Sequence, residues 1–168
     1  MAVGPEKIFD LNQLAEVLQL NHPENKIIFA HGVFDLLHRG HVTLLAEAKK
    51  LGGILVVGVE NDDNVKILKG TDRPIHSEEA RLFVLSHLEP IDYLFLIPHY
   101  ENIEAINAFY TNIYRKLRAN ILATCLEAGR YGVLKQAHAN EVGIQFVDIK
   151  TRYDRSTSTV INLLRKLT

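Results

Sequence analysis

The stretch IIFAHGVFDLLHRGH, residues 27–41, joins an apolar run to a polar turn that carries three histidines. The four apolar residues at its start predict a buried strand. From His41 to Leu51 the apolar side chains repeat at helical spacing, and Gly52-Gly53 predicts the end of that helix. The stretch therefore predicts a strand that turns directly into a helix.

The same alternation of strand and helix continues along the chain. Further strands are predicted at 54–59, 93–97, 121–124 and 144–149, with helix starts at Asp10 and Ser77 and helices over 103–117 and 160–167. The polar segment 61–76 is expected to be a long functional loop. Because apolar strands alternate with helices, we predict an α/β fold, a single-domain doubly wound parallel sheet with helices on both faces. The pattern does not predict the order of the strands.

Length and composition limit the class of protein. The chain has 168 residues, which suits one domain, and we expect residues 1–25 to form an N-terminal helix and turn packed on a domain of residues 26–168. The 19 basic and 20 acidic residues form no basic block, which argues against a nucleic-acid partner. A single cysteine, Cys125, with no signal-peptide pattern and no apolar run of membrane length, predicts a cytoplasmic protein without a membrane partner.

The residues His38-Arg39-Gly40-His41 lie at the expected start of the second helix, just past a strand end. Ligands of parallel sheets bind at strand carboxyl ends, and the N–H groups that begin a helix attract anions. Two imidazoles three residues apart add donors on one helix face, while Gly40 lets the backbone approach a ligand. The pattern favours a phosphate site over zinc, since no third metal ligand is apparent nearby. A pair of structural histidines is the alternative interpretation.

Two common nucleotide-binding patterns are missing from the chain. Neither the dinucleotide fingerprint G-x-G-x-x-G nor a Walker A sequence occurs. This disfavours a hydride-transfer enzyme and an ordinary P-loop enzyme, although a phosphate site at the histidines remains favoured.

Several segments resemble one family. GVFDLLHRGH, residues 32–41, is similar to the G-x-F-D-x-x-H-x-G-H signature of the cytidylyltransferase-like nucleotidyltransferases. KGTDRP, residues 69–74, resembles the K-G-x-x-R-P loop of the heptose-phosphate adenylyltransferase branch, and residues 79–81 and 88–93 continue that branch's pattern. STSTVI, residues 156–161, resembles the I-S-S-T-x-I phosphate motif, and Arg152 lies where glycerol-phosphate cytidylyltransferases carry an arginine. The resemblance implies a Rossmann-like nucleotidyltransferase fold from Lys26 to the C-terminus.

The resemblance also implies a reaction and a set of residues. An NTP, ATP or CTP, would give AMP or CMP to a small phosphorylated acceptor, a sugar or polyol phosphate, with release of pyrophosphate. Donors and cations that stabilise charge on the phosphates are implied at His38, His41, Lys69 and Arg81. The residues implied in nucleotide binding are Gly32, Val33, Phe34, Gly40, Arg152, Thr157, Ser158 and Thr159. Mg²⁺ is expected to accompany the NTP, held mostly by phosphates and water, and a homodimer is expected because such enzymes commonly form one.

Several of these residues also have structural interpretations. Phe34 suits the core, and Asp35, implied near the substrate, can instead fix the turn through backbone hydrogen bonds. Lys69 can be a solvated lysine, as expected for Lys66, and Arg81 can pair with Glu78 on a helix surface. The hydroxyls of residues 157–159 can simply cap the last helix.

The chain departs from the family pattern in one region. Where the heptose branch has K-G-G-D-Y, residues 123–131 contain no lysine, and Arg130 occupies the position of an acid if residues 129–131 stand for G-D-Y. We therefore expect Arg130 to face the acceptor and to favour an additional anionic group on it. Three hypotheses stay open: an enzyme most like heptose-phosphate adenylyltransferase, one like glycerol-3-phosphate cytidylyltransferase, and a catalytically silent nucleotide-binding module.

Overall fold

The structure, a computed structural model, describes residues 7–101, 106–126 and 131–151. Strands and helices alternate through these ranges. In chain order they are β1 (Ile8–Phe9), α1 (Leu11–Asn21), β2 (Ile27–Gly32), α2 (Arg39–Lys49), β3 (Ile54–Glu60), α3 (Asp62–Lys69), α4 (Glu78–Ser86), β4 (Tyr93–Ile97), α5 (Ile106–Lys116), β5 (Ile121–Thr124), α6 (Tyr131–Val142) and β6 (Gln145–Asp148). The final helix predicted at 160–167 lies outside the described residues.

The strands form one parallel sheet in the order β1-β4-β3-β2-β5-β6. β2 pairs with β3 along its whole length, from Ile27 opposite Ile54 to Gly32 opposite Val59. On its other side β2 pairs with β5, so the strand order reverses there. Ligands of such sheets bind at the carboxyl ends next to the reversal. The predicted doubly wound parallel sheet is confirmed, while the two-residue β1 beside β4 was not predicted.

Helices cover both faces of the sheet, as predicted. On one face, α1, α5 and α6 pack side chains such as Leu14, Tyr114 and Ala139 against the sheet. On the other face, α2 and α4 do so through Leu45 and Leu85. These side chains are almost fully inaccessible to water, and burying one apolar side chain contributes about 1.5–3 kcal/mol. Both faces therefore hold the strand ends, and the turns that follow them, in fixed positions.

The prediction of a continuous loop over residues 61–76 is wrong, because α3 occupies its first half. The Asn61 side chain accepts a hydrogen bond from the N–H of Asn64 at 2.8 Å and begins the helix. Two aspartates lie in the first turn and two lysines in the last, as the helix dipole favours. Gly70, with φ of 97°, ends the helix. Lys69 is therefore the last residue of a helix and not part of an open loop.

The N-terminal helix α1 begins where the sequence predicts it. The Asp10 carboxylate accepts hydrogen bonds from the N–H groups of Asn12 and Gln13, at 2.8 and 3.0 Å. Leu14 and Leu18 are buried on its inner face. The helix thus packs on the same core as α5.

No helix among the residues described is both long and apolar enough to cross a lipid bilayer.

Candidate active site

The histidine turn, residues 33–38, connects the carboxyl end of β2 to the start of α2. His38 occupies the N-cap position with extended backbone, and its carbonyl accepts from the N–H groups of His41 and Val42. Within the described part of the chain, no side chain caps this helix. The first N–H groups of α2 therefore face the edge of the sheet where a ligand is expected, and they attract anions there.

His38 and His41 stack on each other with ring centroids 3.8 Å apart and an interplanar angle of 19°. The Phe34 ring meets His41 edge-on at 5.3 Å. Burial lowers the pKa of His38, and it lowers the pKa of His41 to about 3, with smaller contributions from His38 and Lys69. At neutral pH both imidazoles are uncharged, so each offers one N–H donor.

The Nδ1 atom of His41 is buried and has no hydrogen-bond partner among residues 7–101, 106–126 and 131–151. Buried polar atoms in proteins are almost always hydrogen-bonded. An unsatisfied ring nitrogen beside an uncapped helix start is therefore a group that a ligand can satisfy.

The histidine turn has an unusual backbone. Phe34 and Leu36 have φ angles of 53° and 48°, in the left-handed region that costs of order 1–3 kcal/mol for each such residue. Phe34 is buried in the core, as expected, which fixes one of the two positions. The residue between them, Asp35, fixes the turn from the other side.

The Asp35 carboxylate is almost completely buried and accepts four hydrogen bonds from Arg73, Ile75 and His76. Two come from the Arg73 guanidinium, at 3.1 and 2.5 Å, and two from the N–H groups of Ile75 and His76, at 2.9 and 3.0 Å. Burial alone would raise the pKa of Asp35, but the backbone N–H groups and Arg73 outweigh it and lower that pKa. The carboxylate thus joins the histidine turn to residues 73–76, and its predicted contact with substrate stays a prediction.

Arg81 is buried in α4 and holds three segments together. Its guanidinium donates to the carbonyl oxygen of Val33 at 2.7 Å, to that of His76 at 3.1 Å and to Asp62 at 2.8 Å. The alternative of a surface arginine paired with Glu78 is thus wrong, because Glu78 instead accepts from the N–H of Asp62. The contacts position the histidine turn, and the predicted grip of Arg81 on phosphate stays a prediction.

Lys69 ends α3 at the same edge of the sheet. Burial lowers the pKa of Lys69, and the charge of Arg73 lowers it further, while Asp35 and Glu60 act in the opposite direction. Across the ranges described, its ammonium makes no hydrogen bond or ion pair. Lys66 is also exposed, but it pairs with Asp63 at 2.8 Å. Lys69 is therefore an exposed cation that the described residues leave available for a ligand.

A buried polar cluster that the sequence did not predict lies beneath the strand ends. Glu60 accepts hydrogen bonds from Tyr110 and, at 3.2 Å, from Asn64. His31 stacks on Tyr110 at 4.4 Å and contacts the Tyr114 hydroxyl at 3.0 Å. Burial raises the pKa of Glu60 and lowers that of His31 well below its ordinary value. The cluster supports the carboxyl ends of β2 and β3.

The structure brings together most of the predicted residues that it describes. Gly32 is the last residue of β2, and Val33 follows it. Gly40 is buried in the first turn of α2, between His38 at the N-cap and His41. The remaining predicted residues lie outside the described ranges and stay predictions: Arg130, Arg152, Thr157, Ser158 and Thr159.

No group of three or more histidine, cysteine, aspartate or glutamate side chains suited to a metal occurs within the ranges described. The carboxylates of Asp35 and Glu60 accept hydrogen bonds from Arg73 and Tyr110. The described residues therefore do not form a protein cage for Mg²⁺, and we assign it no protein ligand.

Comparison with known proteins identifies relatives of this chain. It is 44% identical to the bifunctional protein HldE of Helicobacter pylori (strain HPAG1) over 110 residues, 66% of this chain and 23% of that protein. It is 35% identical to the bifunctional protein HldE of Campylobacter curvus over 160 residues, 95% of this chain and 31% of that protein. The chain thus spans less than a third of the length of these relatives.

A solved structure gives an independent comparison. The lipopolysaccharide core biosynthesis protein of Thermoplasma volcanium is 29% identical, with a TM-score of 0.59, and the match covers 77% of this chain and 99% of that one. The family model described as cytidylyltransferase-like matches residues 29–161, which include the histidine turn, Lys69 and Arg81. By that match, which extends over most of its length, the chain belongs to the cytidylyltransferase-like family.

Proposed function

We propose that this chain is a nucleotidyltransferase, most like heptose-phosphate adenylyltransferase, that transfers AMP or CMP from an NTP to a small phosphorylated acceptor and releases pyrophosphate. The observation that carries the proposal is the stacked pair His38 and His41 at the uncapped start of α2. This is where a parallel sheet binds ligands, and residues 32–41, which resemble the family signature, lie there.

The proposed chemistry needs no nucleophilic side chain. An acceptor phosphate oxygen attacks the α-phosphorus of the NTP, the bond from that phosphorus to the bridging oxygen breaks, and pyrophosphate leaves with that oxygen. Such transfers depend on positioning and on stabilising charge. His38 and His41 donate as neutral imidazoles to phosphate oxygens, where each such donor typically lowers the barrier by a few kcal/mol.

Positive charge at the same edge supports the developing anion. Lys69 supplies an ammonium that no described residue engages, and the N–H groups of α2 add the positive end of a helix dipole. Arg81 and Asp35 act mainly by holding the histidine turn in place. Mg²⁺ accompanies the NTP in this proposal, bound by phosphates and water.

The proposal is tested by a pyrophosphate-release screen with ATP and CTP against sugar phosphates and polyol phosphates, including heptose and glycerol phosphates. Turnover with one acceptor, lost in His41→Ala and kept in the surface variant His87→Ala, is the expected result. Binding of an NTP without pyrophosphate release from any acceptor would instead support the silent nucleotide-binding module.

The setting of the reaction is also a proposal. We infer that the protein works in the cytoplasm, since its single cysteine, Cys125, is unpaired and buried and its proposed substrates are phosphorylated metabolites. A homodimer is proposed by analogy with the resembled enzymes. Sedimentation at micromolar concentration measures it directly.

A further inference from the structure

Lys135 extends from α6 to the end of the central strand β2. Its ammonium donates a hydrogen bond of 2.6 Å to the carbonyl oxygen of His31, immediately before the histidine turn. The start of α6 is itself fixed against the end of α3, because the Tyr131 hydroxyl donates to the carbonyl of Leu68 at 3.1 Å. Tyr131 and Lys135 lie four positions apart on one helix face, and Lys69 is next to Leu68. The two lysines thus approach one strand end from the β5 and β3 sides of β2.

The charge of Lys135 is not paired within the described part of the chain. The ammonium has three donors, and the carbonyl of His31 is the one acceptor that the described residues give it. Glu60 acts on Lys135 only through space, because its oxygens accept from Tyr110 and Asn64 and it makes no ion pair with the lysine. The pKa of Lys135 is lowered to about 8, mainly by burial and in smaller part by the positive charge of Lys69, while the charge of Glu60 acts in the opposite direction.

Among the described residues, the charged side chains at this edge leave an excess of positive charge. Asp35 is paired with Arg73, and Asp62 with Arg81. Of the other described groups, Lys69 and Lys135 both lie near the carboxylate of Glu60, whose own pKa is raised by burial. A partly buried cation such as Lys135 is costly without a charged partner, and an anion that binds there removes the cost.

We propose that Lys135 is a substrate-binding residue and forms, with Lys69, a two-lysine site for the phosphate oxygens of a substrate. The inference rests on the proposed nucleotidyl transfer and extends it to a residue outside the motifs that suggested that reaction. The phosphate belongs either to the NTP or to the acceptor. The two cases differ in which ligands should bind more weakly when Lys135 is replaced. A purely structural role, in which Lys135 only ties α6 to β2, is the competing explanation.

The test compares Lys135→Met and Lys135→Gln with the wild type and with Lys50→Met. Glutamine keeps a donor for the His31 carbonyl but carries no charge, so it separates the anion site from a structural tie. Lys50 is an exposed lysine paired with Glu47 and serves as the matched control. Each protein is titrated calorimetrically with ATP, CTP, inorganic pyrophosphate and inorganic phosphate, and its free energy of unfolding is measured in urea.

Both Lys135 variants are expected to bind the affected ligands roughly ten- to a hundredfold more weakly, the usual scale for losing a charged hydrogen bond. Weaker binding of ATP or CTP together with pyrophosphate assigns Lys135 to the NTP, and weaker binding of inorganic phosphate alone assigns it to the acceptor. Lys50→Met should bind all four ligands like the wild type.

Wild-type affinity in both Lys135 variants, with a loss of stability in Lys135→Met that Lys135→Gln restores, overturns the inference and makes Lys135 a structural tie. That result leaves nucleotidyl transfer intact as long as the wild type releases pyrophosphate. A wild type that neither binds these ligands nor releases pyrophosphate refutes the proposed function, and the inference with it.

Discussion

Two buried arginines and two lysines lie at the same edge of the sheet, and they differ in the partners that the described residues give them. Arg73 donates two hydrogen bonds to Asp35, and Arg81 donates one to Asp62 and one to each of two backbone carbonyls. Lys69 and Lys135 together receive a single backbone acceptor from the described residues. Arginine, with its rigid fork of donors, suits the first task, and lysine, a flexible point charge, suits the second. The arginines therefore hold the loops, and the lysines remain for a ligand.

The largest expected change in the free energy of unfolding is at Arg81. Arg81→Met leaves Asp62 and the carbonyls of Val33 and His76 without their donor, so the free energy of unfolding should fall by about 3–5 kcal/mol. Urea unfolding measures the change. Arg115→Met is the control, because that exposed arginine lies 3.9 Å from Glu141 and should matter by less than about 1 kcal/mol. Equal losses of unfolding free energy in the two variants would show that Arg81 contributes no more to stability than a surface arginine.

The histidines are expected to behave like the lysines, with an effect on activity and little on folding. His38→Ala or His41→Ala should lower turnover at least about a hundredfold, because each removes a donor to the transition state. The free energy of unfolding should change little, since both residues lie at the edge of the sheet. Pyrophosphate release and urea unfolding, with exposed His87→Ala as control, test the pair. Near-normal turnover in either variant would withdraw its assigned role.

Lys69 and Lys66 allow a matched comparison within one helix. Lys69→Met should slow the NTP-dependent step roughly ten- to a hundredfold and leave stability nearly unchanged, because it removes an exposed cation that has no partner among the described residues. Lys66→Met removes an exposed lysine that pairs with Asp63 and should be nearly silent in both measurements. Steady-state kinetics at varied NTP concentration measure the difference. Equal effects of the two substitutions would show that Lys69 has no role that Lys66 lacks.

The smallest expected effect is the pH dependence contributed by Asp35. Its pKa in the folded protein is lowered from 3.8, so the unfolded chain binds its proton first as the pH falls. Its stabilisation is fully present above pH 3.8 and is lost as the pH falls through the lowered value. Urea unfolding of wild type and Asp35→Asn at a series of pH values measures this. The difference in unfolding free energy should be constant near neutral pH and shrink in acid, and a constant difference throughout would contradict the pairing with Arg73.

Much of this architecture could be predicted from the sequence. Apolar runs separated by amphipathic segments predicted five of the six described strands, and Asp10 and Ser77 predicted two helix starts. The missed helix α3 had signals of its own, an Asn61 cap, acidic residues in the first turn and lysines in the last. The polarity of the segment obscured them. The strand order was not predictable, because pairing depends on contacts between segments distant in the chain.

The site divides in the same way. A local pattern sufficed for His38 and His41, since their spacing and the helix start lie within one short stretch. Lys135 gave no comparable signal, because it and the His31 carbonyl lie 104 positions apart. The partners of Arg81 could not be predicted from the sequence either. Sequence spacing suggested an ion pair with Glu78, whereas the structure pairs Arg81 with Asp62. Residue types at a site can thus be predicted locally, while their pairing is a property of the tertiary structure.

The single guanidinium of Arg81 bridges three segments, which are the histidine turn at Val33, the start of α3 at Asp62 and the loop before α4 at His76. Opening any one of them breaks a hydrogen bond that stabilises the others, so their local unfolding is cooperative. A ligand that orders the histidine turn thereby also protects residues 62 and 76 from opening, although it need not touch them. The backbone amides of the three segments should accordingly share one protection factor in hydrogen exchange, and substrate should raise it for all three together.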